Sequence, residues 1–128
     1  MLHYAAASGN AVEVRLLVDR GADVNAQDAN GWSPLHFAAQ ASSGECTDVL
    51  LRAGANATLK DSHGNTALFR AVFASNGEGE VIKLLRTAGA DPYATNSHGV
   101  SPLSLARSIA NFNIAIHFAD LAAREGDA

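Results

Sequence analysis

The chain has 128 residues, 48% of them hydrophobic but only 6% aromatic, with a formal net charge of −4. Much of the apolar content is alanine, which favours closely apposed helices over a bulky centre, and the length suits one domain with one continuous core. The acidic balance argues against a nucleic-acid or anionic-membrane partner, and the single cysteine, Cys46, excludes an intrachain disulfide and a multi-cysteine zinc site.

Met1-Leu2-His3-Tyr4-Ala5-Ala6 starts a small-residue helix, and after Gly9-Asn10 a second helix runs through Val12, Leu16 and Leu17. Gly21-Ala22-Asp23 closes that run, its glycine suited to the left-handed residue that ends a helix. An extended arm and turn follow from Ala22 to Gly31, with Asp28 placed for a side-chain-to-backbone bond across the turn. The stretch from Asn30 to Ala39 is the clearest unit of the chain. Gly31 supplies the positive φ of a tight tip, Ser33 is suited to cap a helix, and Pro34 fits its first position. Leu35 and Ala38-Ala39 continue that helix; a second, from about Glu45 to Ala53, carries Val49, Leu50 and Leu51 and ends at Gly54-Ala55-Asn56.

The same order returns twice. Asp61-Ser62-His63-Gly64 precedes a helix with Leu68, Ala71, Val72 and Phe73, then one with Val81, Ile82, Leu84 and Leu85, closed by Gly89-Ala90-Asp91. Asn96-Ser97-His98-Gly99 precedes a helix with Leu103, Leu105 and Ala106, and the last helix carries the stripe Ile114, Phe118 and Leu121. The tip glycines Gly31, Gly64 and Gly99 are 33 and 35 residues apart, and so are the closing glycines Gly21, Gly54 and Gly89. Two landmarks in phase mark a repeat array. Its units run approximately over 1–26, 27–59, 60–94 and 95–123, followed by a frayed tail at 124–128. The two extra residues of the third unit fall in the loop Ser75-Asn76-Gly77-Glu78-Gly79-Glu80, where insertion is cheap. The first unit lacks its turn and cap, so it is either natively short or the chain is a piece of a longer array.

These units resemble the ankyrin repeat, whose pattern is a turn with Asp-x-x-Gly-x-Thr-Pro-Leu-His, two antiparallel helices and then Gly-Ala-Asp. The second unit matches through Asp28, Gly31, Ser33-Pro34-Leu35-His36, Ala38-Ala39, Val49-Leu50-Leu51 and Gly54-Ala55-Asn56. The departures are local. Phe69 and Ser104 stand where the family has histidine, Thr66-Ala67 replaces Thr-Pro, and His117 takes a position held elsewhere by Leu16, Val49 and Leu84. The resemblance implies an all-α solenoid of about four helix-turn-helix repeats joined by short β-hairpin-like fingers. The stretches Leu68-Phe69-Arg70-Ala71-Val72-Phe73 and Gly99-Val100-Ser101-Pro102-Leu103-Ser104-Leu105-Ala106 also resemble small bacterial stand-alone ankyrin proteins. Some proteins similar to those look like immunity partners of secreted toxins.

No catalytic pattern stands out. His36 is expected to steady its own turn, as the family's histidine does, and no further ligands converge on His63 and His98 to hold a metal. Glu78 and Glu80 flank Gly79 in an exposed loop with nothing to split their pKa values. Neither a nucleophile elbow nor a phosphate-cradling loop is present. Cys46 reads as a small buried hydrophobe. With no cofactor or metal expected and no roughly 18-residue apolar run, the expectation is a cytoplasmic, non-enzymatic module that binds another protein.

Framework residues are fixed by packing, so partner choice falls to the positions between them. On the fingers these are Asn30, Trp32, His63, Asn65, His98 and Val100; on the first helices they are Gln40, Ala41, Phe73, Ala74, Ser108 and Ile109. Arg70 is a further candidate, although the matching Phe37 and Leu105 are apolar. Trp32, the only tryptophan, is either an exposed interface anchor or local packing against the neighbouring finger. Two alternatives stand beside this reading: an immunity protein that neutralises a toxin, and the terminal repeats of a longer structural or regulatory solenoid. A monomer is expected, with association through the uncapped first repeat as the other outcome.

Overall fold

The computed structural model describes residues 2–74, 79–108 and 118. Residues 75–78 of the inserted loop, Ile109, Ile114, His117, Leu121 and the tail at 124–128 lie outside the described residues.

Among the described residues seven α-helices follow in chain order: α1 (Leu2–Ala7), α2 (Ala11–Asp19), α3 (Pro34–Gln40), α4 (Gly44–Arg52), α5 (Ala67–Ala74), α6 (Glu80–Thr87) and α7 (Pro102–Ser108). Each is short, well below the length at which an isolated helix is stable in water, so tertiary packing must hold them. They form two rows. In one, α1, α3, α5 and α7 pack in succession; in the other α2, α4 and α6 do, and each of the three pairs α1–α2, α3–α4 and α5–α6 packs internally. No strand occurs among the described residues.

Alanine sets the spacing of the first row. Ala5, Ala6, Ala38, Ala39, Ala67 and Ala71 are all buried, so neighbouring backbones approach closely. Between the rows lie the bulkier side chains Val14, Leu35, Leu50, Leu68, Val72, Ile82 and Leu85, which form one continuous core. Cys46 is a free thiol buried in that core. Phe118 is also buried and meets the Arg86 guanidinium at 5.4 Å from its ring centre.

Helix ends follow local chemistry. Ser33 caps α3 by accepting from His36 N, with Pro34 at the first helical position. Asn10 caps α2 through a bond from Glu13 N, and Ser43 caps α4 through one from Cys46 N. The second helix of this repeat, expected from about Glu45, starts one residue earlier: Ser43 is its cap and Gly44 the first residue of α4, and the turn lies at Ala41-Ser42. Gly21, Gly54 and Gly89 take positive φ of 91°, 94° and 94°, as residues closing α2, α4 and α6 should.

Candidate partner-binding face

Long arms link α2 to α3, α4 to α5 and α6 to α7, and each ends in the same finger. In the first, Asp28 Oδ1 accepts from the N–H groups of Asn30 and Trp32, both at 2.9 Å. Asp61 Oδ1 holds His63 and Asn65 in the same way at 2.9 Å. Asn96 Oδ1 does so for His98 and Val100, at 2.9 and 3.0 Å. A carboxylate or an amide serves equally here because only an acceptor oxygen is used.

The fingers are tied to one another. Ser62 N donates to Asn30 O at 2.9 Å, and Ser97 N donates to His63 O at 3.0 Å. His36 adds a second tie: its Nδ1 accepts from Ser33 N at 3.1 Å, which leaves Nε2 to donate to Asn65 O at 2.8 Å. The histidine therefore bridges two repeats as well as bracing its own turn. Buried completely, its imidazole is held below the ordinary pKa of 6.5, with desolvation outweighing the raising effect of the Asn65 carbonyl.

Side chains left over from this scaffold line the fingers and the first-helix row. Asn30, His63 and His98 are exposed at successive tips, and Gln40, Ala41, Phe73 and Ser108 are exposed along the helices. Phe73 is 59% accessible, unusual for so large a hydrophobe. Ala74 and Val100 are half-buried. Ile109 lies outside the described residues.

Asn65 is a correction. It is only 5% accessible, its Oδ1 accepts from Asn96 Nδ2 at 2.9 Å, and its backbone oxygen takes the His36 bond. Its side chain belongs to the tie between fingers and is removed from the surface available to a partner. Trp32 is half-buried. Its ring lies 4.8 Å from the Phe37 ring and 5.9 Å from that of His36, within its own repeat. The Arg70 guanidinium, from the next repeat, sits 4.8 Å from the Trp32 centroid and 5.5 Å from that of Phe73.

Trp32 and Arg70 share a cavity of about 440 Å³ with Asp28, Asn30, Phe37 and His63. Arg70 is the only lining residue with a permanent positive charge. Its side chain is 18% accessible, and its Nη2 lies 4.0 Å from Oδ2 of Asp61, whose side chain is fully buried. Neither Arg70 Nε nor Asp61 Oδ2 has a hydrogen-bond partner among the described residues.

Two aromatic residues of the first-helix row are not among the expected partner contacts: Phe37, which lines the cavity, and Tyr4, which lies outside it and is 80% accessible. The available signal is register. Tyr4, Phe37, Arg70 and Leu105 follow one another at spacings of 33, 33 and 35 residues, and no two are alike. A position free to change so much is not fixed by the framework.

Among the described residues no group of three or more His, Cys, Asp or Glu side chains could hold a metal ion. No described helix is long and apolar enough to cross a membrane. Helix pairs stacked in two rows, joined by fingers that bond to each other, define a helical-repeat solenoid. Residues 2–96 match the model of a family described as ankyrin repeats (3 copies), and the chain belongs to the ankyrin-repeat family. No curated protein is similar enough to the chain to count as a match. Ankyrin repeats generally mediate protein–protein interaction, and proteins built from them are typically non-enzymatic interaction modules.

Proposed function

We propose that the chain is a non-catalytic module that binds a partner protein through the concave face formed by the fingers and the first-helix row. The observation that carries this reading is the cluster of Trp32, Phe37 and Arg70 around an open cavity, with Phe73 against Arg70 beside it, at positions the repeat scaffold leaves unused. Aromatic and arginine side chains held rigid in this way are the common anchors of interfaces. The surface is already ordered, so little conformational freedom is lost on binding. A cytoplasmic setting is part of the proposal and is supported by the free, buried thiol of Cys46.

Affinity capture from native lysate tests the proposal with three baits: the unaltered chain, Phe73→Ala, and Leu84→Glu in the other helix row. A protein retained by the first and third and lost by the second supports the concave face. A protein that ignores Phe73→Ala and is lost with Leu84→Glu transfers the function to the opposite side of the molecule.

A further inference from the structure

Arg70 is a guanidinium whose nearest carboxylate, that of Asp61, stands only at the outer limit of an ion pair. It makes no hydrogen bond to any described residue: Nη2 is 4.0 Å from the nearest carboxylate oxygen, and the buried Nε has no acceptor. Two rings lie against it, Trp32 at 4.8 Å and Phe73 at 5.5 Å. Arginine held against aromatic rings beside a cavity is suited to the planar, two-toothed recognition of a carboxylate.

We propose that this cavity receives a carboxylate side chain from an acidic segment of the partner, with Arg70 as its counter-ion and Trp32 and Phe37 as apolar walls. The proposal rests on the concave-face reading above and names the chemistry that face selects. Two acidic groups oppose it, Asp28 on the wall and Asp61 beneath. Each already has its Oδ1 engaged by two backbone N–H groups, and Asp61 faces Arg70 from the buried side. His63 and Asn30 complete the wall and bring no negative charge.

Asp28 makes the idea testable without disturbing Arg70. Asn96 occupies the matching place in the last finger and accepts the same pair of backbone bonds, so Asp28→Asn keeps the turn and removes one negative charge from the cavity. The probes are three blocked pentapeptides identical except for a central glutamate, glutamine or lysine, and the readout is the fluorescence of Trp32, the only tryptophan. The glutamate peptide is expected to bind tightest to the unaltered chain, several-fold tighter still to Asp28→Asn, and to lose its advantage over glutamine in Arg70→Gln. Asp28→Asn binding the glutamate peptide more weakly, or the lysine or glutamine peptide binding as well as glutamate, overturns the carboxylate and leaves the concave face standing. No response to any of the three at millimolar concentration overturns the carboxylate and counts against the concave face as well. Circular dichroism of Arg70→Gln separates lost binding from lost folding, and Asp28→Asn decides the matter if that variant does not fold.

Discussion

His36 is kept neutral by its surroundings, and both ring nitrogens are committed. Nδ1 must accept from Ser33 N and Nε2 must donate to Asn65 O. A proton on Nδ1 breaks the first bond and places a charge in a buried site. As pH falls through 6.5 the unfolded chain takes up this proton while the fold resists it, because the folded pKa lies lower. The unfolded state then binds more protons, so the stabilisation present above pH 6.5 is lost progressively below it. Urea unfolding at pH 7.5 and pH 5.5 is expected to show this loss, and a His36→Gln variant a shallower one. Equal slopes for the two proteins would mean that His36 does not carry the effect. Trp32 is tied to its surroundings by ring contacts. Trp32→Ala removes the Phe37 ring contact and the Arg70 cation contact, worth roughly 0.5–1.5 and about 0.5–1 kcal/mol in general. The expected outcome is a stability loss of about 1–2 kcal/mol together with weakened partner binding. An unchanged unfolding midpoint would make the tryptophan a binding residue alone. The sequence displays Trp32 as an odd large residue in a finger, yet its neighbours come from a helix start and from the next repeat. That arrangement is a property of stacking and is not written in local spacing.

Between single residues and the whole array, the three first helices with a described finger use three versions of one cap. Ser33 and His36 form a reciprocal box around α3. At α7, Ser104 Oγ takes the place of the imidazole, accepting from Ser101 N at 2.8 Å while Ser104 N donates to Ser101 Oγ at 3.1 Å. At α5 only half remains: Thr66 Oγ1 accepts from Phe69 N, and the buried Phe69 ring fills the histidine's place. The departures visible in the sequence at Phe69 and Ser104 thus have different costs, since serine keeps the polar exchange and phenylalanine substitutes packing for it. Helix starts were legible because capping is a local act among residues three apart. The turn between α3 and α4 was not, because two serines in a row, Ser42 and Ser43, offer the same chemistry and only one becomes the cap. The other is strained. Ser42 has φ of 54°, the only positive value outside glycine among the described residues, at the place where the first repeat has Gly9 with φ of 72°. Ser42→Gly is therefore expected to raise stability by up to about 1 kcal/mol, the left-handed penalty less the extra freedom glycine gains when unfolded. A chemical-denaturation midpoint that falls instead would show that Ser42 makes a contribution its backbone angle hides.

At the scale of the molecule, the main packing of each described helix is against its own repeat and the neighbouring ones, so the stability of the array depends on the joints between them. The period and the element order were legible because glycine and helix-cap signals recur in phase; the joints were not, because they consist of backbone groups any sequence possesses. One joint nevertheless leaves a mark in the sequence. Gly31, Gly64 and Gly99 share nearly the same positive φ, 78°, 79° and 75°, so by backbone angle alone all three are equally required. Their surroundings differ. A Cβ on Gly31 would stand 2.9 Å from Asp61 Cα and 2.9 Å from Ser62 N, the group that donates to Asn30 O across the joint. A Cβ on Gly64 would stand 3.0 Å from Ser97 N, whereas one on Gly99 meets nothing within 4 Å among the described residues. Alanine at any of the three incurs the left-handed cost of roughly 1–2 kcal/mol; only at Gly31 and Gly64 must it also push a neighbouring backbone aside, which no side-chain rotation can relieve. Gly31→Ala is thus expected to destabilise the fold clearly more than Gly99→Ala, and to weaken hydrogen-exchange protection at Ser62 N specifically. If the two variants unfold at the same denaturant concentration, the fingers do not couple the repeats. Stability would then reside in the helix rows alone.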